Sequence, residues 1–386
     1  MTFVHGGLVL CGGAFRRANI FYNIEESASR IDLDRPAAAG APGLNAEGCY
    51  VLPGIVDIHG DAFERQIMPR PGVTFDLALA LAETDRQLVS NGITTAFHGL
   101  TWSWEPGFRG AESARAFVAA IESLRGELAA DTYIHLRHEV FNFAAEQQIG
   151  EWLAAGKIGV LAFNDHLTGT IKVRHRPEKM ADMIRRTGLS AEAFLALVDS
   201  LAARESEMEA ATKRLAQIAT NAGVPMMSHD DLTIEMRTQY RLLGAAIAEF
   251  PVTEAVAQAS AQNADHIVFG APNVLRGGSH TNCPAAAEMA VAGYCSILAS
   301  DYYYPALLQA PFVLAGKHGM PLEQAWKLVS ENPARAAGFK DRGVIENGAR
   351  ADLVVVETKP NGSAAIIATI VNGKIAYISD TARICA

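Results

Sequence analysis

The stretch PGIVDIHGD, residues 53–61, is an apolar strand interrupted by polar side chains at every second position. In an extended strand residues i and i+2 point to one face. Asp57, His59 and Asp61 therefore share a side, and His59 with Asp61 can reach one ion together. Working outward, the same kind of short apolar segment recurs in GITTAFHG, TYIHLRHEV, KIGVLAFNDH, PMMSHDD, AAIAEFPVT, DHIVFGAP and CSILASDYY. Helical patterns separate them, at 76–90, 111–129, 143–155, 190–222, 253–263, 284–292 and 321–337. Eight strands alternating with helices over about 290 residues are the pattern of an α/β (β/α)8 TIM-like barrel. A doubly wound open sheet has the same periodicity and stays open at this stage.

Both ends of the chain read differently from the middle. GGLVL and NIFYNIEE near the start, and ADLVVVE and AIIATIVNGKIAYIS near the end, are β-rich runs between turn residues. Asn372-Gly373 between two apolar runs is a hairpin signal. These runs predict a small β-sandwich domain assembled from residues 1–52 and 343–386, around a barrel at 53–342. The stretch 176–222 is longer than one crossover needs, and its charges at i, i+3 and i+4 read as a solvated helix face.

Composition narrows the class. The 386 residues are 49% hydrophobic and 19% charged, which is incompatible with a disordered chain. No apolar run is long enough to span a membrane, and the first residues lack the basic start of a secretory signal. Five scattered cysteines, none in a CxxC pair, give no disulfide framework, so a reducing cytoplasm is the expected compartment. A net charge of −9 argues against nucleic acid as a partner. It leaves room for a small anionic substrate at a locally basic site.

Polar residues gather where the strands end: His59 and Asp61, Glu139 in HLRHEV, Asp165 and His166 in LAFNDH, His229 in MMSHDD, and Asp301 in LASDYY. In a parallel barrel all these ends share the face that holds the active site. Taken singly, such a His is more often a hydrogen-bonded structural residue, and such an Asp more often a helix cap. Several at successive strand ends are harder to dismiss, because converging buried carboxylates repel unless a cation sits among them. Imidazole with carboxylate suits Zn²⁺, Mn²⁺, Fe²⁺ or Ni²⁺ better than Ca²⁺. For phosphate, Arg70 in the rigid MPRPGV loop and Arg276 in NVLRGGSH come first, with Lys172 and Arg174 of TIKVRHR behind. Ser279-His280 and the glycines before them could form an anion nest. Met226-Met227 read as core, and Trp102 and Trp104 as packing under a loop.

PGIVDIHGD resembles the opening barrel strand of the amidohydrolase superfamily, whose usual form is PGxxDxHxH. The tail GVIENGARADLVVV is similar to that superfamily's closing sheet segment. Here the second histidine is replaced by Asp61. With DAFERQIMPRPGV, GITTAFHG, HLRHE, NDH and FGAPNVLRGGSH, the chain resembles over nearly its whole length the PhnM-like family of α-D-ribose 1-methylphosphonate 5-triphosphate diphosphatases. The resemblance implies one or two divalent ions, zinc first, held by His59, Asp61, Glu139 (in a bridging place), His166, His229 and Asp301. It implies Asp301 as proton acceptor and pyrophosphate release from a phosphorylated sugar as the reaction, with Asp165 orienting His166 or the metal shell. The family pattern has a Pro-Gly-Gln run after the Asp-His pair, where this chain has LTGTIKV, so the basic 170–176 loop departs from it. Two alternative activities stay open, a C–N hydrolase of the deacetylase or cyclic amidase type and a catalytically silent scaffold, and under any of the readings the chain could form a homodimer.

Overall fold

The computed structural model describes residues 3–23, 28–33, 35, 42–279 and 283–385. All eight expected strands are present: β1 (Ile55–Gly60), β2 (Ile93–Trp102), β3 (Asp131–Glu139), β4 (Val160–Asn164), β5 (Met226–His229), β6 (Ile247–Glu249), β7 (His266–Gly270) and β8 (Ile297–Ala299). They follow one another in chain order in one sheet. The β3–β4, β4–β5, β5–β6 and β7–β8 pairs are parallel. A parallel bridge between Gly60 and Asp301 brings the two ends of the series together. With helices between successive strands this is a (β/α)8 barrel, and the open-sheet alternative falls. Among the described residues no helix is long and apolar enough to cross a membrane.

The chain divides into two compact units. The first comprises residues 1–97, 125–132 and 266–386. Its terminal segments form a five-stranded and a six-stranded sheet. The six-stranded sheet places Leu353–Thr358 antiparallel to Tyr50–Pro53, with Leu353 opposite Pro53. Val9, Val51, Val355 and Ile370 of this sheet join Ile20 and Leu44 of the five-stranded one in a single apolar core. Asn372 and Gly373 adopt φ of 47° and 75°, the left-handed pair a two-residue hairpin turn requires. In the same unit Asp131 Oδ2 accepts from Arg342 Nη1 at 2.5 Å and Arg350 Nη1 at 2.6 Å, and Arg350 Nε donates to Asp352 at 2.7 Å.

The second unit comprises residues 98–124 and 133–265. Its strand faces can be assigned from their neighbours. Phe163 stacks on Tyr240 of the Ile234–Leu242 helix, and His138 packs edge-on against Phe163. Those two residues face the helices, so Arg137, Glu139, Ala162 and Asn164 face the other way, into the barrel. The register sets Glu139 beside Asn164 and His229 beside Glu249.

Some elements differ from expectation. The segment 190–222 is two helices, Ala191–Ala202 and Glu205–Asn221, and a third, Pro177–Thr187, precedes them. Gly188 ends that third helix at φ 70°, and Ser190 caps the next by accepting from Ala193 N. Asn332-Pro333 divides 321–337 into Leu322–Lys327 and Glu331–Ala336, since Pro333 offers no amide to a continuing turn. The basic 170–176 stretch is not a loop over most of its length: Leu167–Val173 is helical.

Candidate metal centre

In the first unit His59, Asp61 and Asp301 each offer a ligand atom within 4.8 Å of the others. Strand alternation supplies the first two, and backbone pairing supplies the third. Asp301 N donates to His59 O at 3.0 Å, and Asp61 N donates to Asp301 O at 2.9 Å. Asp301 holds φ at 55°, a left-handed conformation uncommon for a side-chain-bearing residue and frequent at functional sites. Asp57, the third member of the alternating set, belongs elsewhere. Its carboxylate accepts from Ser300 Oγ at 2.5 Å and Ser300 N at 3.0 Å, locking β1 to the residue that precedes Asp301. Burial pushes the Asp57 carboxyl up, against these hydrogen bonds.

In the second unit the corresponding group is His166, His229 and Asp230, again within 4.8 Å. Asp230 was noticed in the sequence only as part of a strand end. It also has φ of 55°, and its N–H donates to Glu249 O at 2.9 Å. Each imidazole is oriented by a buried carboxylate. Glu139 accepts from His166 Nδ1 at 2.5 Å and from His166 N at 3.1 Å. Burial alone would raise the Glu139 carboxyl, but His166 outweighs it and holds it low. Burial disfavours a charged His166 in turn, and Glu139 outweighs that to raise it. Glu249, fully buried, accepts from His229 Nδ1 at 2.6 Å. That fixes the tautomer whose Nε2 carries a lone pair, and the same lone pair accepts from Arg137 Nη2 at 3.0 Å.

These donor sets fit a divalent cation. Imidazole nitrogens and carboxylate oxygens converge, and the Nδ1 atoms of His166 and His229 are already held by carboxylates, so each imidazole would ligate through Nε2, His229 by exchanging its contact with Arg137 for the cation. Glu139, expected as a ligand, hydrogen-bonds His166 in this structure. Glu249 and Arg137 were not singled out in the sequence. For Arg137 the signal was there: His135, Arg137 and Glu139 alternate in HLRHE. A lone Glu after AAIA in a three-residue strand gave no comparable signal for Glu249.

The remaining expected residues divide. Asp165, expected to orient His166 or the metal shell, accepts from Thr168 N at 3.0 Å and Thr168 Oγ1 at 2.7 Å at the start of the helix after His166. Arg276 ends the helix Ala271–Arg276 and reaches Tyr302 Oη at 3.4 Å, next to Asp301. Arg65, which had drawn no notice, lies over the Tyr302 ring at 5.8 Å. Arg70 sits in an exposed turn bridged to Val73. Lys172 is exposed, and Arg174 is 3.4 Å from Asp199 on a neighbouring helix. Ser279 is followed by His280, which lies outside the described residues. His98 and His138 are core residues: burial lowers each to about 4.

A family model described as the amidohydrolase family matches residues 210–376. The α-D-ribose 1-methylphosphonate 5-triphosphate diphosphatase of Escherichia coli (strain K12) is 33% identical over 327 residues, covering 82% of this chain and 86% of that protein. Solved structures share the fold at low identity. A prolidase complexed with N-methylphosphonate-L-proline aligns with TM-score 0.63 at 15% identity, over 98% of this chain and 100% of that one. A 5-methylcytosine deaminase from Klebsiella pneumoniae aligns with TM-score 0.60 at 14% identity, over 98% of each chain. A D-hydantoinase from Thermus sp. aligns with TM-score 0.55 at 14% identity, over 97% of this chain and 95% of that one. With its barrel, its His-carboxylate groups at the strand ends and this degree of identity, the chain belongs to the amidohydrolase superfamily of metal-dependent hydrolases, in the family that includes the diphosphatase.

Proposed function

We propose that this hydrolase releases pyrophosphate from α-D-ribose 1-methylphosphonate 5-triphosphate. The observation that carries the reading is the 33% identity with the diphosphatase along 82% of the chain. The donor sets support it. His59, Asp61 and Asp301 would hold one divalent cation and His166, His229 and Asp230 another, zinc first, with manganese, iron or nickel meeting the same donor chemistry. Such cations act as Lewis acids on phosphoryl oxygens when bound. Asp301 takes the proton of the attacking water and returns it to the departing pyrophosphate as the bond between the α- and β-phosphoryl groups breaks. Arg276, which reaches the hydroxyl of Tyr302, and Arg137, which reaches His229, would neutralise charge on phosphoryl oxygens. Glu139 and Glu249 keep the imidazoles aimed.

The test incubates the purified protein, loaded in turn with zinc, manganese and iron, with ribosyl triphosphates, nucleoside triphosphates and N-acyl compounds. Pyrophosphate, phosphate and amine are read separately. Pyrophosphate from the ribosyl triphosphate is the expected result. Cleavage of an N-acyl compound with no pyrophosphate would replace the reading with a C–N hydrolase. Asp301→Asn is expected to abolish turnover while metal content holds, and near-wild-type turnover would remove Asp301 from its role.

A further inference from the structure

The second unit carries polar equipment that the metal chemistry does not use. A cleft of about 370 Å³ is lined by Glu139 and His166, and the end of β2 with the segment after it contributes Thr101, Ser103, Trp104, Glu105 and Arg109 as a further wall. Strand alternation aims this wall. Trp102 packs on Trp152 at 5.0 Å and lies under Arg115 at 5.9 Å, on the helix side. Its neighbour Thr101 therefore points the other way, toward the barrel interior. Thr101, Ser103 and Glu105 are 4%, 7% and 4% exposed. The wall is stiff: Glu105 N donates to Ser103 Oγ at 3.1 Å, and Asn142 Nδ2 donates to Ser103 O at 2.9 Å.

Two buried polar atoms on this wall, Thr101 Oγ1 and Trp104 Nε1, have no hydrogen-bond partner among the described residues. Protein interiors rarely leave such atoms unmatched. A ligand in the cleft would match them, and the charges say which kind. The lining holds one arginine, Arg109, against two carboxylates, Glu105 and Glu139. A polyanion would want a surplus of cations. A neutral ring carrying several hydroxyls wants what is present: a carboxylate to accept, an indole N–H and a threonine hydroxyl to meet its oxygens, and an aromatic face to lie against.

We infer that this cleft is the subsite for the sugar ring of the phosphorylated substrate, with Thr101, Trp104 and Glu105 as its specificity residues. The inference rests on the proposed function, which puts a pentose next to the reacting phosphoryl groups. Hydroxyls of the ring donate to Glu105 and accept from Trp104 Nε1, Thr101 exchanges a hydrogen bond with a third, and the indole covers one face.

The experiment compares ribose 5-triphosphate with inorganic tripolyphosphate, which has no sugar, on the metal-loaded enzyme. Thr101→Val keeps the shape and removes the hydroxyl; Trp104→Phe keeps an aromatic face and removes the N–H. Each is expected to lower the ratio of kcat/KM for ribose 5-triphosphate over tripolyphosphate at least tenfold, mainly through KM. A parallel loss on both substrates, or an unchanged ratio, would overturn the subsite. A wild-type enzyme inactive on every triphosphate would instead overturn the proposed function. The subsite is then decided by calorimetric binding of ribose 5-phosphate: it stands if wild type binds at least tenfold more tightly than the variants, and falls otherwise.

Discussion

Glu249 shows how a buried carboxylate can orient a candidate metal-ligating imidazole. It is shut away from solvent and holds His229 by Nδ1 at 2.6 Å. Glu249→Gln keeps the volume but weakens the acceptor, and metal affinity is expected to fall about tenfold or more, as measured by chelator competition. Unchanged affinity would count against the role. Asn164, beside Glu139 in the register, is also fully buried, and neither polar atom of its side-chain amide has a partner among the described residues. Replacing an unmatched buried amide by an apolar group of similar size relieves its desolvation. Asn164→Leu is therefore expected to leave the melting temperature equal or higher while turnover falls at least tenfold; a large drop in melting temperature would show the amide to be structural. His59, His166, His229 and Asp301 were legible because they close long apolar runs. Asn164 drew no notice because a neutral amide carries no charge whose burial demands an explanation, and the Ala248-Glu249-Phe250 stretch is too short to show which way its carboxylate points.

At the level of elements, the opening strand depends on a close approach at Gly60. A Cβ there would lie 2.7 Å from Asp57 Oδ2 and 2.8 Å from Ser300 Oγ, the atoms that lock the strand to the segment before Asp301. Gly60→Ala must push them apart. The cost of such overpacking is about 1–3 kcal/mol, read as a lower denaturation midpoint, and metal binding at His59, Asp61 and Asp301 should weaken with it. A variant as stable as wild type would mean the lock is dispensable. The strands were readable because each is a short apolar run ending in polar residues. The helix Pro305–His318 was not. It contains Pro311 in its interior and buries Ala306, Leu307, Leu308, Ala310, Pro311 and Leu314, so it lacks the one-sided stripe that marks a helix in sequence. The division at 202–205 was equally hidden, since the charge spacing continues across it.

Across the whole chain, Asp131 carries an ion network no local pattern could reveal. Its partners Arg342 and Arg350 lie over two hundred positions away and are 7% and 9% exposed. Burial raises the Asp131 carboxyl, but Arg350 and Arg342 outweigh it and hold it below its ordinary range. Such a group contributes fully above the unfolded carboxylate value, near ~3.9, and its contribution is lost as pH falls through the depressed native one. Asp131→Asn is expected to be less stable by about 3 kcal/mol near neutrality, with the gap to wild type closing at strongly acidic pH. A gap that persists there would point to packing instead of charge. The pairing of Pro53 with Leu353 has a different consequence, one of timing. The partner of the Tyr50–Pro53 strand lies 300 residues further along the chain. At roughly 5–20 residues per second on the ribosome, that edge waits about 15–60 seconds before it can be covered. During that interval the strand, paired with Leu8–Cys11 on its other side, leaves one apolar edge uncovered, the kind of edge that recruits other chains. The moment of greatest danger for this protein thus comes before its synthesis is complete, and slow translation or a missing chaperone would be felt there first.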